Sequence, residues 1–235
     1  MSLPEKDATR AAVDGAITSR RSIRRFLPTP VPLAVVEDIL RVAARSPSGA
    51  NTQPWQVHVV TGESLQALME AVARVNDDPV ALAAVPPDEY QYYPLAWKSP
   101  FIDRRRKVGF ALYQLLGIVK GDSAGMKAQH ARNFRFFDAP VGLIFTIDRD
   151  LNQGSWIDCG MFLQSVMVAA RARGLDTCAQ AAWIHFHQVI AQQLALDAQQ
   201  MVVCGMALGS ADPDAVENSL VSEREDLAAF ATFHG

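Results

Sequence analysis

Cysteine is scarce in this chain: Cys159, Cys178 and Cys204 are the three among 235 residues. An odd number at wide spacing excludes a disulfide framework or a CxxC metal knuckle and suits a reducing cytosol. Long apolar runs are missing too. The longest stretch without Asp, Glu, Lys or Arg, Thr177 to Leu196, carries Gln180, His185, His187 and Gln192, too polar for a bilayer span. The opening MSLPEKDATR has charge but no apolar core, unlike a signal peptide. A soluble, cytoplasmic protein is expected. Charge of one sign is not in excess, since 22 basic against 25 acidic side chains give a net charge of −3. Neither nucleic acid nor an anionic membrane is therefore expected as a general partner.

Several catalytic signatures are lacking as well. No GxGxxG follows a strand, which argues against a Rossmann dinucleotide domain. Neither GxxxxGK[ST] nor a GxSxG nucleophile elbow occurs. His185 and His187 form an HxH pair without an evident third ligand, so no metal site is expected. Cys178 lies in an apolar strand with no evident base and reads as a buried structural thiol.

What is present is an ordinary globular composition, 49% hydrophobic and 20% charged, with helical and strand patterns intermingled. Helices are expected near 9–18, 32–45, 62–75, 101–119, 155–173 and 186–196, and strands near 55–61, 140–148, 175–181 and 201–208. About four buried strands imply an α+β or α/β class in one domain, residues 1–235. Residues 76–99 hold Pro79, Pro86, Pro87 and Pro94 beside Tyr90, Tyr92, Tyr93 and Trp97. So long a connection is a lid, a binding loop, or a surface excursion packed by its own aromatics. The helix around Cys159 to Ala170 carries no charge and needs cover on all sides, from within or from a second subunit. From Gly209 the tail turns polar and extended, with Leu227, Phe230 and Phe233 as its only anchors.

Two polar elements carry chemistry. RRSIRR at 20–25 places four arginines in six residues, read either as a solvated turn, a nucleic-acid patch, or a phosphate site of guanidinium forks and a hydroxyl. The segment Pro47-Ser48-Gly49-Ala50-Asn51-Thr52-Gln53-Pro54-Trp55 is dense in short hydrogen-bonding side chains and can approach a planar polar ligand closely. A plain helix-to-strand turn explains its Pro and Gly but not its added Ser, Asn, Thr and Gln.

In this order, RRSIRRF, a helix, then SPSGANTQPWQVHVVTG, the chain resembles the FMN-dependent nitroreductase family. APVGLIFTID, RARGLDTCAQAA, MVVCGMALG and the tail residues Glu223-Arg224-Glu225 agree with it. The likeness spans nearly the whole chain and is weakest through 76–129. The insert and NFRFFDAPVGLIF look most like reductases of nitrobenzoates and other nitroaromatics.

The resemblance implies an α+β sandwich, a central mixed β-sheet flanked by helices, in an intertwined homodimer with C-terminal tail exchange. The region 76–138 would be a variable insert or lid, and 209–235 would cross onto the partner. FMN would be the cofactor and NADPH or NADH the donor, in a ping-pong hydride transfer to a nitroaromatic compound or a quinone. Arg20, Arg21 and Ser22 would hold the FMN phosphate and ribityl chain, and Arg24 would face the flavin N1/O2 edge, stabilising the reduced ring. Pro47, Ser48, Gly49 and Asn51 would come from the other subunit, and Gln180 and Ala181 would bring backbone near flavin N5. Some relatives have an acidic residue at Ala181's position, a loss that a backbone role tolerates. Arg224 matches a phosphate-binding tail arginine, while Ser222 stands where some relatives have lysine. Tyr90, Tyr92, Tyr93, Trp97 and the 133–137 stretch with Phe134, Phe136 and Phe137 are the candidates for covering the substrate, and the sequence does not choose among them. No catalytic side chain is required, because the flavin carries the chemistry. The same fold hosts reductive dehalogenation and enone reduction, and a flavin-binding protein without turnover is the alternative of another class.

Overall fold

The computed structural model describes residues 3–235. The helices are α1 (Leu3–Ser19), α2 (Leu33–Ala43), α3 (Gly62–Asn76), α4 (Pro79–Ala83), α5 (Phe101–Leu115), α6 (Ser123–Ala131), α7 (Gln153–Arg171) and α8 (His187–Leu194). The strands are β1 (Gln56–Thr61), β2 (Val141–Asp148), β3 (Asp176–Gln180) and β4 (Gln200–Gly209). They align as β1-β2-β4-β3 with all three ladders antiparallel. The parallel component that makes this α+β sheet mixed is one bridge, Ser22 with Thr177.

The middle strands β2 and β4 are buried along nearly their full length, because helices cover both faces. That explains why both read as unbroken apolar runs without polar alternation. On one face Val36, Ile39, Phe162 and Val166 of α2 and α7 pack on Leu143, Phe145 and Met206. On the other, Leu68, Val72 and Ile190 of α3 and α8 pack on Ile144, Val202 and Ala207.

One irregularity in the sheet matters for the insert. Phe145 pairs with Cys204 and Thr146 with Val202, which leaves Val203 as the extra residue of a bulge. Val203 and Cys204 consequently both face the α2–α7 layer. The carbonyl of Val203 accepts a hydrogen bond from the Tyr90 hydroxyl, so the proline-rich connection is pinned to the centre of the sheet.

Two glycines in the sheet make room for aromatics lying flat on it. A Cβ at Gly205 would stand 2.3 Å from the Trp183 ring, and one at Gly142 would stand 2.7 Å from Phe136. Those two rings stack on each other at 4.3 Å. Phe136, Phe137 and Asp138 hold left-handed backbone (φ 47°, 53° and 67°). Three such residues in a row persist only because the buried rings hold them there.

The element boundaries depart from the periodicity in a few places. Residues 123–131, where the sequence suggests no helix, form α6, started by Asp122 accepting from the Gly125 amide. The helix expected near 186–196 is α8, which ends on left-handed Ala195 and is preceded by a 3₁₀ segment (Ala181–Phe186). Helix α5 stops at Leu115, short of 119, with left-handed Gly117 just beyond. Leu227, Phe230 and Phe233 are exposed, so the apolar anchors of the tail find no cover within this chain.

Candidate functional site

The basic strip 20–27 is laid along the sheet by its own backbone. The Ile23 amide donates to the Thr177 carbonyl (3.1 Å), the Phe26 amide to Phe137 (3.1 Å) and the Leu27 amide to Ser210 (2.9 Å). Ile23 and Phe26 are buried, which directs the intervening polar side chains outward. Asn218 fixes the middle: its Oδ1 accepts from the Arg24 amide (2.8 Å) and its Nδ2 donates to the Arg25 carbonyl (2.8 Å).

The four arginines then part company. Arg25 turns to Asp138 (2.9 Å) and joins a network in which Arg132 bridges Asp138 and the buried Glu217 (2.6 Å). Arg20, Arg21 and Arg24 line a cavity of about 610 Å³ together with Ser22 and, from the tail, Ser222 and Arg224. The Arg224 guanidinium is set by bonds to Ser222 Oγ (2.9 Å) and to the carbonyls of Ser222 and Glu223. Arg171 of α7 also lines this cavity, donating to Ser19 Oγ and to Asp176, each at 3.0 Å. Sequence reading missed it; a lone arginine ending a buried helix carries no mark of its target.

Five arginines and four hydroxyl side chains line that cavity, and no Asp or Glu does. Such a lining fits a phosphate monoester, which presents several acceptor oxygens and about two negative charges. Just beneath it Thr177 Oγ1 is buried with no hydrogen-bond partner among the described residues. The donor set therefore suits FMN, whose phosphate is its only strongly charged group.

A second cavity, about 1030 Å³, is assembled from three separated segments. Its walls are 88–95 of the insert, His130 to Phe134, and 179–185 after β3. Gln180 and Ala181 stand here, with Tyr90, Tyr92, Tyr93 and Phe134. The Gln180 side chain is buried and used internally. Its Nε2 donates to the Asn133 carbonyl (2.7 Å), and its Oε1 accepts from Trp183 Nε1 (3.4 Å). Only backbone and Ala181 are left to meet a ligand at that strand end. Phe136 and Phe137, candidates for covering the substrate, belong instead to the core. Trp97 is not in the wall either; it packs on Tyr93 and lies under the Arg105 guanidinium (4.9 Å).

The loop 47–53 meets neither cavity within this chain. Ala50, Asn51 and Gln53 are left-handed (φ 49°, 59° and 48°), and Ser48 Oγ accepts from the Gln53 amide. Buried Asp158 of α7 accepts from the Gly49 amide at 3.1 Å. Pro47, Gly49 and Asn51 stay exposed and Ser48 half-buried.

No nucleophile emerges from the titratable groups. Burial pushes the Cys159 and Cys178 thiols up to about 11, in the second case against the opposing pull of Arg24 and Arg20. Burial also raises Cys204 and Tyr90. His185 pairs with Asp88 (3.2 Å) and His187 with Glu89 (3.4 Å). Among the described residues no group of three or more His, Cys, Asp or Glu could hold a metal ion, and no helix is long and apolar enough to cross a membrane.

Comparison with known proteins bears on both cavities. The model of the Nitroreductase family matches residues 17–210. A 4-nitrobenzoate reductase from Pseudomonas putida is 45% identical over 224 residues, covering 94% of this chain and 95% of that protein. A chloronitrobenzene nitroreductase from Comamonas testosteroni is 42% identical over 226 residues, covering 96% and 98%. Among solved structures, the FMN and NADPH-dependent nitroreductase NfnB from sphigopyxis sp. strain HMH superposes with a TM-score of 0.89 at 38% identity, covering 95% of this chain and 99% of that one. A match that runs through the basic strip, all four strands and the three wall segments of the larger cavity leaves one assignment, and this chain belongs to the nitroreductase family.

Proposed function

We propose that the chain is an FMN-dependent oxidoreductase that uses NADPH or NADH to reduce nitroaromatic compounds. The observation that carries this reading is the acid-free arginine cavity, found together with a larger aromatic cavity among titratable groups that include no activated nucleophile. Arg20, Arg21, Ser22, Arg171 and Arg224 would hold the FMN phosphate. Arg24, fixed through its amide by Asn218, would bring positive charge to the flavin edge that becomes electron-rich on reduction. When bound, FMN supplies a two-electron carrier between the nicotinamide and the nitro group. The strand end at Gln180 and Ala181 would present backbone to the ring. The aromatic walls exclude water and align the planar donor and acceptor in turn, a positioning role.

The working unit in this reading is a homodimer of single-domain chains, each lending Pro47, Ser48, Gly49 and Asn51 to the other's flavin. Supporting this, the open face of α7 carries Ile157 at 67% exposure, and Phe230 and Phe233 of the tail are 72% and 82% exposed. Helix α5 has no buried residue at all. Apolar surface of this kind is ordinarily covered by a partner. Three free thiols agree with a reducing, cytoplasmic setting.

Purified protein loaded with FMN and desalted should be yellow, bleach with NADPH or NADH under anaerobic conditions, and regain colour on addition of 4-nitrobenzoate. Protein that stays colourless after FMN addition would remove the flavin reading. A yellow protein that neither donor bleaches would be a flavin carrier instead. Light scattering at twice the chain mass tests the dimer.

A further inference from the structure

Of the charge-bearing side chains that line the aromatic cavity, Asp88, His130 and His185, His130 is the one without an ion-pair partner among the described residues. His130, in the last turn of α6, lines the cavity, and its ring meets Phe134 edge-on at 5.6 Å. Its ring nitrogens have no hydrogen-bond partner among the described residues; the Gln91 amide and the Tyr92 and Tyr93 hydroxyls of the same cavity are free as well, but none of them is a cation. His185 is bound to Asp88, and Asn133 is bound through Nδ2 to the His130 carbonyl (2.9 Å) and accepts from Gln180. Those contacts hold the end of α6 against the strand end at Gln180, so the imidazole is presented from a fixed base.

We propose that His130, protonated, binds a carboxylate on the ring of the aromatic substrate, which makes this chain selective for acidic nitroarenes over neutral ones. The proposal rests on the nitroarene reading above and adds the residue that reads substrate charge. Asp88 is the carboxylate of the cavity wall and would repel such a substrate, but it is partnered by His185. The titratable groups that share the cavity with His130 are His185 on the 3₁₀ segment and Asp88, Tyr90, Tyr92 and Tyr93 on the insert. Burial, and secondarily His185, lower the His130 pKa, which favours the neutral imidazole. A bound carboxylate works in the opposite sense and draws a proton onto the ring. Acidic ligands must then bind more tightly as pH falls through the histidine range, while isosteric neutral ligands do not respond.

Benzoate and benzamide share a ring and nearly a shape but differ in charge, and neither carries a nitro group. Calorimetric titration of each into the FMN-loaded protein at about pH 5.5 and about pH 8 tests the proposal without turnover. Benzoate should bind about tenfold more tightly at the lower pH, with benzamide level. His130→Gln should abolish that benzoate dependence. A pH dependence that survives in His130→Gln would overturn the proposal. So would equal weakening of both ligands, or loss of the dependence only in His185→Gln. Failure of 4-nitrobenzoate to reoxidise the reduced flavin would count against the catalytic reading alone, since the benzoate comparison does not depend on it.

Discussion

The arginine-lined cavity is formed chiefly by one continuous strip, 20–24, closed by α7 and the tail, while the aromatic cavity draws its walls from three segments as far apart as 88 and 185. The strip is held by backbone bonds to Thr177, Phe137 and Ser210. The aromatic walls are held by side chains: Tyr90 on the Val203 bulge, the Phe136–Trp183 stack over two glycines, and Gln180 on Asn133. Backbone anchorage, with the Asn218 side chain across its middle, keeps the arginine strip fixed. Side-chain anchorage leaves the substrate end open to reshaping by single replacements. Substitutions at the two ends should therefore differ in kind as well as size.

The largest effect belongs to the aromatic end. Trp183 is fully buried, stacked on Phe136 and bonded to Gln180. Trp183→Ala should cost about 3–5 kcal/mol in urea unfolding, the range for deleting a large core aromatic. It removes what holds three left-handed residues in line, so Asn133 and Phe134 next to them should lose their positions too. A loss below about 1 kcal/mol would mean that the stack is not the support of that wall.

At the arginine end the effect should fall on ligand binding instead. Arg20→Ala removes one charge-assisted contact of about 1.5–3 kcal/mol, weakening FMN roughly ten- to hundredfold with little change in unfolding. Fluorescence titration of the apoprotein measures the first and a urea curve the second. Retention of FMN at wild-type affinity would take Arg20 out of the phosphate site. An intermediate case is Tyr90→Phe, which keeps the ring on Trp156 but leaves the Val203 carbonyl without its donor. A cost of about 1–2 kcal/mol is expected, with a raised KM for nitroarenes and unchanged FMN affinity. A change in FMN affinity instead would show that the two ends are coupled through the sheet.

The same contrast explains what could be read in the chain beforehand. RRSIRR was legible because its residues are adjacent and chemically uniform, and the apolar positions 23 and 26 sort which arginines face the cavity. Even so, Arg25 differs from Arg24 only through Asp138 and Asp212, partners more than a hundred residues away. β2 and β4 were legible as apolar runs, and α7 as a charge-free helix needing cover. Phe136 and Phe137 could not be told from the other candidates for the lid, because an aromatic beside an aromatic insert looks like one. Their left-handed backbone, which turns them into the core, leaves no trace in residue type. Helix α6 escaped notice because SAGMKAQHA has little apolar periodicity; it leans on the 132–138 turn and on Asp122 rather than on a buried stripe of its own.

The smallest effect is expected where the tail meets α5. Lys107 pairs with Glu223 at 2.5 Å and Arg104 with Glu225 at 2.8 Å, yet all four side chains are about half exposed or more. Solvent-exposed pairs of this sort contribute about 0–1 kcal/mol and weaken with salt. Lys107→Gln should leave unfolding within about 1 kcal/mol of the parent protein. It should also leave FMN affinity nearly unchanged, although Val108 beside it and Arg224 beyond it line the same cavity. Two exposed ion pairs are too weak to hold a tail whose phenylalanines find no cover in their own chain. If Arg224 is nevertheless held firmly enough to bind phosphate, most of the restraint must come from a surface outside this chain. A marked loss of FMN in Lys107→Gln would instead make the tail a self-docked arm, and the arginine cavity complete in one copy.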